Sequence, residues 1–112
     1  MRAFDLSELS AEQARIGQAW LEFLRVPSLS MGVYHLKAGQ DDPQRPHSED
    51  EVYYVVAGRA RFIAAGEVRD VMPGTILFVE RFVEHRFFDV TEDLTVLVFF
   101  APAEGSLRDR GA

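Results

Sequence analysis

At 112 residues the chain has room for one domain around one core. Hydrophobic residues at 47% and aromatics at 12% describe a globular protein rather than a disordered one. A formal net charge of −6 argues against a nucleic-acid partner, and the absence of cysteine excludes disulfides, thiolate metal ligands and a cysteine nucleophile. The start, Met1-Arg2-Ala3-Phe4-Asp5, has no apolar signal core, and no run reaches the length of a membrane span, so a cytoplasmic protein without a membrane partner is expected.

The first predicted element is an amphipathic helix. Ser10 and Gln13 form a candidate capping box, with Ser7 as an alternative cap one turn earlier. Ile16, Trp20, Phe23 and Leu24 share one face at helical spacing, while Glu12, Gln13, Arg15 and Gln18 point away. Pro27 ends the helix at Val26. The Trp20 face is expected to pack on the outside of a sheet or on a partner subunit.

From Ser30 the period becomes two. Strands are predicted at Ser30–Lys37, Glu51–Ala57, Arg59–Ala64, Val68–Val71, Thr75–Val79, Glu84–Val90 and Leu94–Phe100. Turns fall at Gly58, Ala65-Gly66-Glu67, Pro73-Gly74 and Thr91-Glu92-Asp93. About seven short strands at regular spacing after one helix predict an all-β sandwich or closed barrel. The chain divides into a helical segment 1–29, a barrel 30–102 and a tail 103–112, the tail extended or frayed.

The chemistry is concentrated between Gly39 and Gly58. Asp41, Asp42, Pro43 and Pro46 break any helix, and His47 and Glu51 lie four positions apart just ahead of the strand Val52–Val56. An imidazole nitrogen and a carboxylate oxygen brought together at a strand turn are metal donors. His85, after a second turn-strand unit, is the candidate third donor; His35 reads better as a hydrogen-bonded strand or pocket histidine. Gln44 and Asp42 are alternative oxygen donors. Glu49 and Asp50 compete with Glu51, which parity and spacing favour. Tyr53 shares the parity of Glu51 and Phe87 that of His85, so both are expected as site walls, with Tyr53 also able to hydrogen-bond a ligand.

These residues resemble the cupin superfamily, whose two motifs flank a metal inside a small jelly-roll barrel. In the first motif Gly39, His47, Glu51 and Gly58 keep the family spacing, and Arg45 stands where the first histidine belongs. In the second, Gly74 and His85 keep their places, while Glu80, Phe82 and Asp89 replace the family's Pro, Gly and Asn. An arginine offers no lone pair to a cation. The resemblance therefore implies a single-domain, RmlC-like jelly roll, or double-stranded β-helix, holding one divalent metal (Fe, Mn, Ni, Zn or Cu) on His47, Glu51 and His85. Two imidazoles and one carboxylate form the ligand set of non-haem iron oxygenases. The implied function is a small-molecule metalloenzyme of dioxygenase, isomerase or lyase type, with Arg45, Tyr53 and Phe87 binding substrate. The alternatives are a non-catalytic module that binds or senses a small molecule or metal, and a cupin with an empty site in which Arg45 pairs with Glu51. A homodimer joined through the helix face and terminal arm is also expected from the resemblance.

Overall fold

The computed structural model describes residues 1–109. Helix α1 spans Leu6–Ile16, and the strands are β1 Trp20–Val26, β2 Leu29–Leu36, β3 Asp50–Ala64, β4 Glu67–Val71, β5 Ile76–Val79 and β6 His85–Ala101. A short helix, α2, covers Ser106–Asp109. All the pairings are antiparallel, in the order β1-β2-β6-β3-β4, with β5 on β3. The fold is a small jelly-roll barrel. No helix among the described residues is long and apolar enough to cross a membrane.

Two long strands make the frame. β3 and β6 run antiparallel from the Asp50↔Ala101 pair to the Ala64↔His85 pair, and each joins two predicted strands into one. Register shifts between Val55 and Arg61 bend this ribbon. Gly58 sits there at φ 95°, and a Cβ on it would stand 2.2 Å from the Asp93 carbonyl oxygen, so only glycine lets the strands cross so closely. Alternation sends Leu94, Val96, Val98 and Phe100 of β6 inward, where all four are buried. They meet Tyr53 and Val55 of β3 in the core.

The helix ends earlier than its apolar spacing predicts. Asp5 takes the N-cap position, ahead of both Ser7 and Ser10. Gly17, at φ 69°, closes the last turn with its N–H on the Gln13 carbonyl. The run Trp20 to Val26 is then the edge strand β1, paired on β2. A short apolar run fits a helical face and a pleated strand equally, and the left-handed Gly17 decides between them. Gln13, expected to face solvent, is buried and donates its amide to the carbonyls of Ala19 and Val33. The tail differs as well. Ala103 is buried, its N–H bonds the Pro27 carbonyl, and the chain through Asp109 folds back on the barrel. Residues 110–112 of the predicted tail lie outside the described residues.

Candidate metal centre

The proline-broken loop delivers His47 to the mouth of the barrel, Glu51 opens β3, and His85 opens β6. The bend of the β3–β6 ribbon brings the three together: His47, Glu51 and His85 place one donor atom each within 4.8 Å of one another. Glu51 Oε1 lies 3.0 Å from His85 Nε2 and 3.9 Å from His47 Nε2. Ligands held about 2.1 Å from one ion stand roughly 3.0–3.4 Å apart, so the first spacing already suits a shared cation.

Hydrogen bonding behind the site sets which atoms are lone pairs. Asp42 is buried and, as a carboxylate, can only accept. Its Oδ1 takes the Tyr34 hydroxyl at 2.6 Å, and its Oδ2 takes the Gln44 amide at 2.7 Å and the Phe87 N–H at 2.9 Å. Gln44 is thereby oriented with Oε1 toward Tyr53, whose hydroxyl donates to it at 2.7 Å. The phenol proton being used, the Tyr53 oxygen turns lone pairs to His85 Nε2, 3.0 Å away. His85 Nδ1 donates to the Val83 carbonyl at 2.8 Å. Its Nε2 therefore faces two acceptors, Tyr53 and Glu51. Glu51 Oε1 is buried and has no donor among its neighbours unless His85 Nε2 carries a proton.

Such an arrangement calls for a cation at the centre, either a proton on His85 or a metal ion. Burial pulls His85 down, but the Glu51 contact, the Val83 carbonyl and the Glu51 and Asp42 charges outweigh it and raise the imidazole above its ordinary value. Burial and the Glu51 charge push the Tyr53 phenol well up, and burial with Asp42 does the same to Tyr34, so both stay neutral donors. The buried Glu51 oxygen and the two imidazoles converging on it fit a divalent ion.

The site opens into a cavity of about 200 Å³. Its walls include Trp20, Tyr34, Tyr53 and Phe100, with Gln44 and Glu104 at polar positions. Gly32 makes room for Trp20: a Cβ there would lie 2.2 Å from the indole. Glu104 was hidden from sequence reasoning in the presumed tail. Its carboxylate stands 3.5 Å from His47 Nδ1, on the far side of that ring from Glu51. Burial raises the Glu104 carboxyl.

The placement of its backbone explains Glu104. Buried Glu49 accepts the N–H groups of Gly105, at 2.7 Å, and Leu107, at 3.1 Å, along with the Ser48 hydroxyl. Ser30 Oγ takes the Glu104 N–H and Arg25 donates to its carbonyl. Burial pushes the Glu49 carboxyl up, but the Ser48 and backbone donors more than offset this and hold it below its usual value. Glu49 is thus an anchor and not a competing ligand.

Other sequence candidates lie elsewhere. Arg45 is exposed and lines a neighbouring depression with Gln44, Pro46, Ile63, Glu84 and His85; it is not among the residues lining the metal-facing cavity, and it forms no ion pair with Glu51. The cause is local: the backbone between Pro43 and Pro46 turns Gln44 inward and Arg45 out. Phe87 is fully buried one step deeper than the cavity, its ring 5.1 Å from that of Tyr53. His35 remains a strand residue on Thr95 Oγ1, 3.1 Å away.

Comparison with known proteins agrees with this architecture. The cupin domain model matches residues 32–100. A protein of Streptomyces coelicolor, described only as uncharacterized, is 47% identical over 104 residues, covering 93% of this chain and 99% of that one. The structure of TT1209 from Thermus thermophilus superposes with a TM-score of 0.72 at 20% identity, over 92% of this chain and 99% of that one. The DMSP lyase DddQ from Ruegeria pomeroyi DSS-3 gives a TM-score of 0.67 at 23% identity, over 79% of this chain and 49% of that one. These two likenesses are of fold. With the domain model spanning more than half of its residues, the chain belongs to the cupin family.

Proposed function

We propose that this cupin is a small-molecule metalloenzyme of isomerase, lyase or dioxygenase type, with one divalent metal held by His47, Glu51 and His85. The observation that carries the reading is the buried Glu51 Oε1 converging with the His47 and His85 imidazole nitrogens at the floor of an open cavity. A sealed structural site would not need that cavity. When bound, the ion supplies Lewis-acid polarisation of a substrate oxygen. The chain's own residues do the rest. Asp42 and Gln44 hold the Tyr53 oxygen as an acceptor toward His85, Trp20 and Phe100 exclude water, and Glu104 places a carboxylate beside His47 at the mouth. The cavity is smaller than the roughly 300–1,000 Å³ of sites for drug-sized ligands, which points to a compact substrate. The DMSP lyase among the structural neighbours supports a lyase within this class by analogy of fold.

A binding or sensing module is the second reading. It is favoured by the cavity's having one carboxylate, Glu104, beyond the metal set. Elemental analysis of protein purified without chelator, and again after reconstitution, tests the metal. About one ion per chain is expected, and it should be lost in His85→Ala. Absence of metal from the wild type after reconstitution would overturn the metalloenzyme reading. Metal without turnover of any small oxygenated substrate would favour the binding module.

A further inference from the structure

The hydrogen-bond inventory of the cavity is one-sided. Its two tyrosines have spent their protons, Tyr34 on Asp42 and Tyr53 on Gln44, and Gln44 has spent one amide hydrogen on Asp42. Each phenol therefore offers lone pairs and a ring face, and no donor. Carboxylates stand at two places, Glu51 on the floor and Glu104 at the mouth, separated by the His47 ring. Among the described residues no lysine or arginine lines the walls, and Arg45 is turned out to solvent. Three aromatic rings meet steeply there. Trp20 and Phe100 lie at 82° with centroids 6.2 Å apart, and Trp20 and Tyr34 at 66° with centroids 6.5 Å apart. Ring faces and an anionic oxygen around a small apolar volume attract a cation that carries its own apolar surface.

We propose that the cavity takes a small organic cation, its alkylammonium group seated among Trp20, Tyr34 and Phe100 with Glu104 as counter-ion. The proposal names the substrate class for the metalloenzyme reading and rests on it for taking this cavity as the substrate site. An anionic substrate would meet Glu104 at the entrance, where His47 already faces that carboxylate and no lysine or arginine lines the described walls. A neutral one would add nothing to the His47 imidazole, 3.5 Å away, in balancing the half-buried Glu104 carboxylate. The metal end is distinct from this end, because His47 stands between Glu51 and Glu104.

Trp20 is the chain's single tryptophan, so its fluorescence reports on this cavity alone. The experiment titrates metal-free protein with tetramethylammonium and choline. It then uses two molecules of choline's shape, neutral 3,3-dimethylbutan-1-ol and anionic 3,3-dimethylbutanoate. The series is repeated on metal-loaded protein with metal content measured on the same samples. Choline should give a saturable change and bind about tenfold or more tighter than the alcohol, with the carboxylate weakest in the metal-free protein. Glu104→Gln should remove most of that preference. Its backbone anchors do not involve the carboxylate, so the fold is retained. Alcohol or carboxylate binding as tightly as choline, an unchanged preference in Glu104→Gln, or no saturable response to either onium ion would each overturn the proposal. The two readings fail separately. Metal without onium preference removes this inference and leaves the metalloenzyme, whereas onium preference in a chain that never takes up metal does the reverse.

Discussion

Asp42 controls the site without touching it. Because it has acceptors only, it fixes the Gln44 amide, which fixes the Tyr53 proton, which leaves His85 Nε2 looking at lone pairs. Asp42→Ala would take the acceptor from the Phe87 N–H, the Gln44 amide and the Tyr34 hydroxyl together. A buried donor left unsatisfied costs about 1–3 kcal/mol, so thermal unfolding should move down by that much. Metal affinity should fall about 10–100-fold, as on losing an outer partner of a ligand. Unchanged affinity in a competition titration would show that this chain of hydrogen bonds does not reach His85. His35 gives a separate effect at the same scale. Burial lowers its imidazole from the ordinary 6.5. The unfolded chain then binds the proton more readily, so stability is whole above that value and falls as pH drops through it toward the folded value. His35→Gln should flatten this part of the acid limb in chemical denaturation. An identical limb in the variant would assign the loss to other groups.

Elements are held by single residues at two points, and only one of these is visible in the sequence. The Gly17 stop is visible once a left-handed cap is considered, yet the spacing of Ile16, Trp20, Phe23 and Leu24 masks it. A run as short as Trp20 to Val26 has both a helical and a pleated apolar face, and the pleated one wins because β2 offers a partner edge. The second point is Glu49, one of three consecutive acids in the sequence, which takes the Gly105 and Leu107 N–H groups and so docks α2 and Glu104 over the cavity. No local pattern signals this, because its partners lie more than 50 positions away. Glu49→Gln puts a donor where only acceptors fit. Hydrogen bonds to a charged group contribute about 1.5–3 kcal/mol, and a loss on that order is expected. It should be local, with amide exchange rising first at Gly105 and Leu107. Uniform loosening of the whole barrel instead would mean that the anchor supports the core.

At the scale of the whole molecule, spacing carried most of the information. The motif intervals from Gly39 to His85 and the alternation of the apolar runs were enough for the barrel and for the convergence of His47, Glu51 and His85, because a pleated strand converts residue number directly into direction. Loop conformation has no such conversion, which is why the exchange of Gln44 for Arg45 at the cavity was not legible. Quaternary structure follows the same logic. The surfaces first expected to pair make contacts within the chain, Phe4 packing on Phe23 with centroids 4.9 Å apart and the C-terminal segment lying on Glu49, though Phe4 and Ile16 stay 43% and 38% exposed. Among the exposed apolar side chains, which also include Phe4, Ile16, Val68, Met72 and Phe82, those on β5 and its neighbour lie side by side. Ile76 and Phe78 are 66% and 62% exposed, and Tyr54 beside Ile76 is 40% exposed. A contiguous patch of this kind on a short edge strand is costly to leave in water and prone to pair with another sheet. We propose that two copies meet there as a homodimer. Sedimentation at micromolar concentration should give twice the chain mass, and Ile76→Asp with Phe78→Asp should give the monomer with its metal content unchanged, since neither residue lines the metal-facing cavity. A wild-type monomer at that concentration would remove the dimer. A variant that stays dimeric would move the interface away from β5.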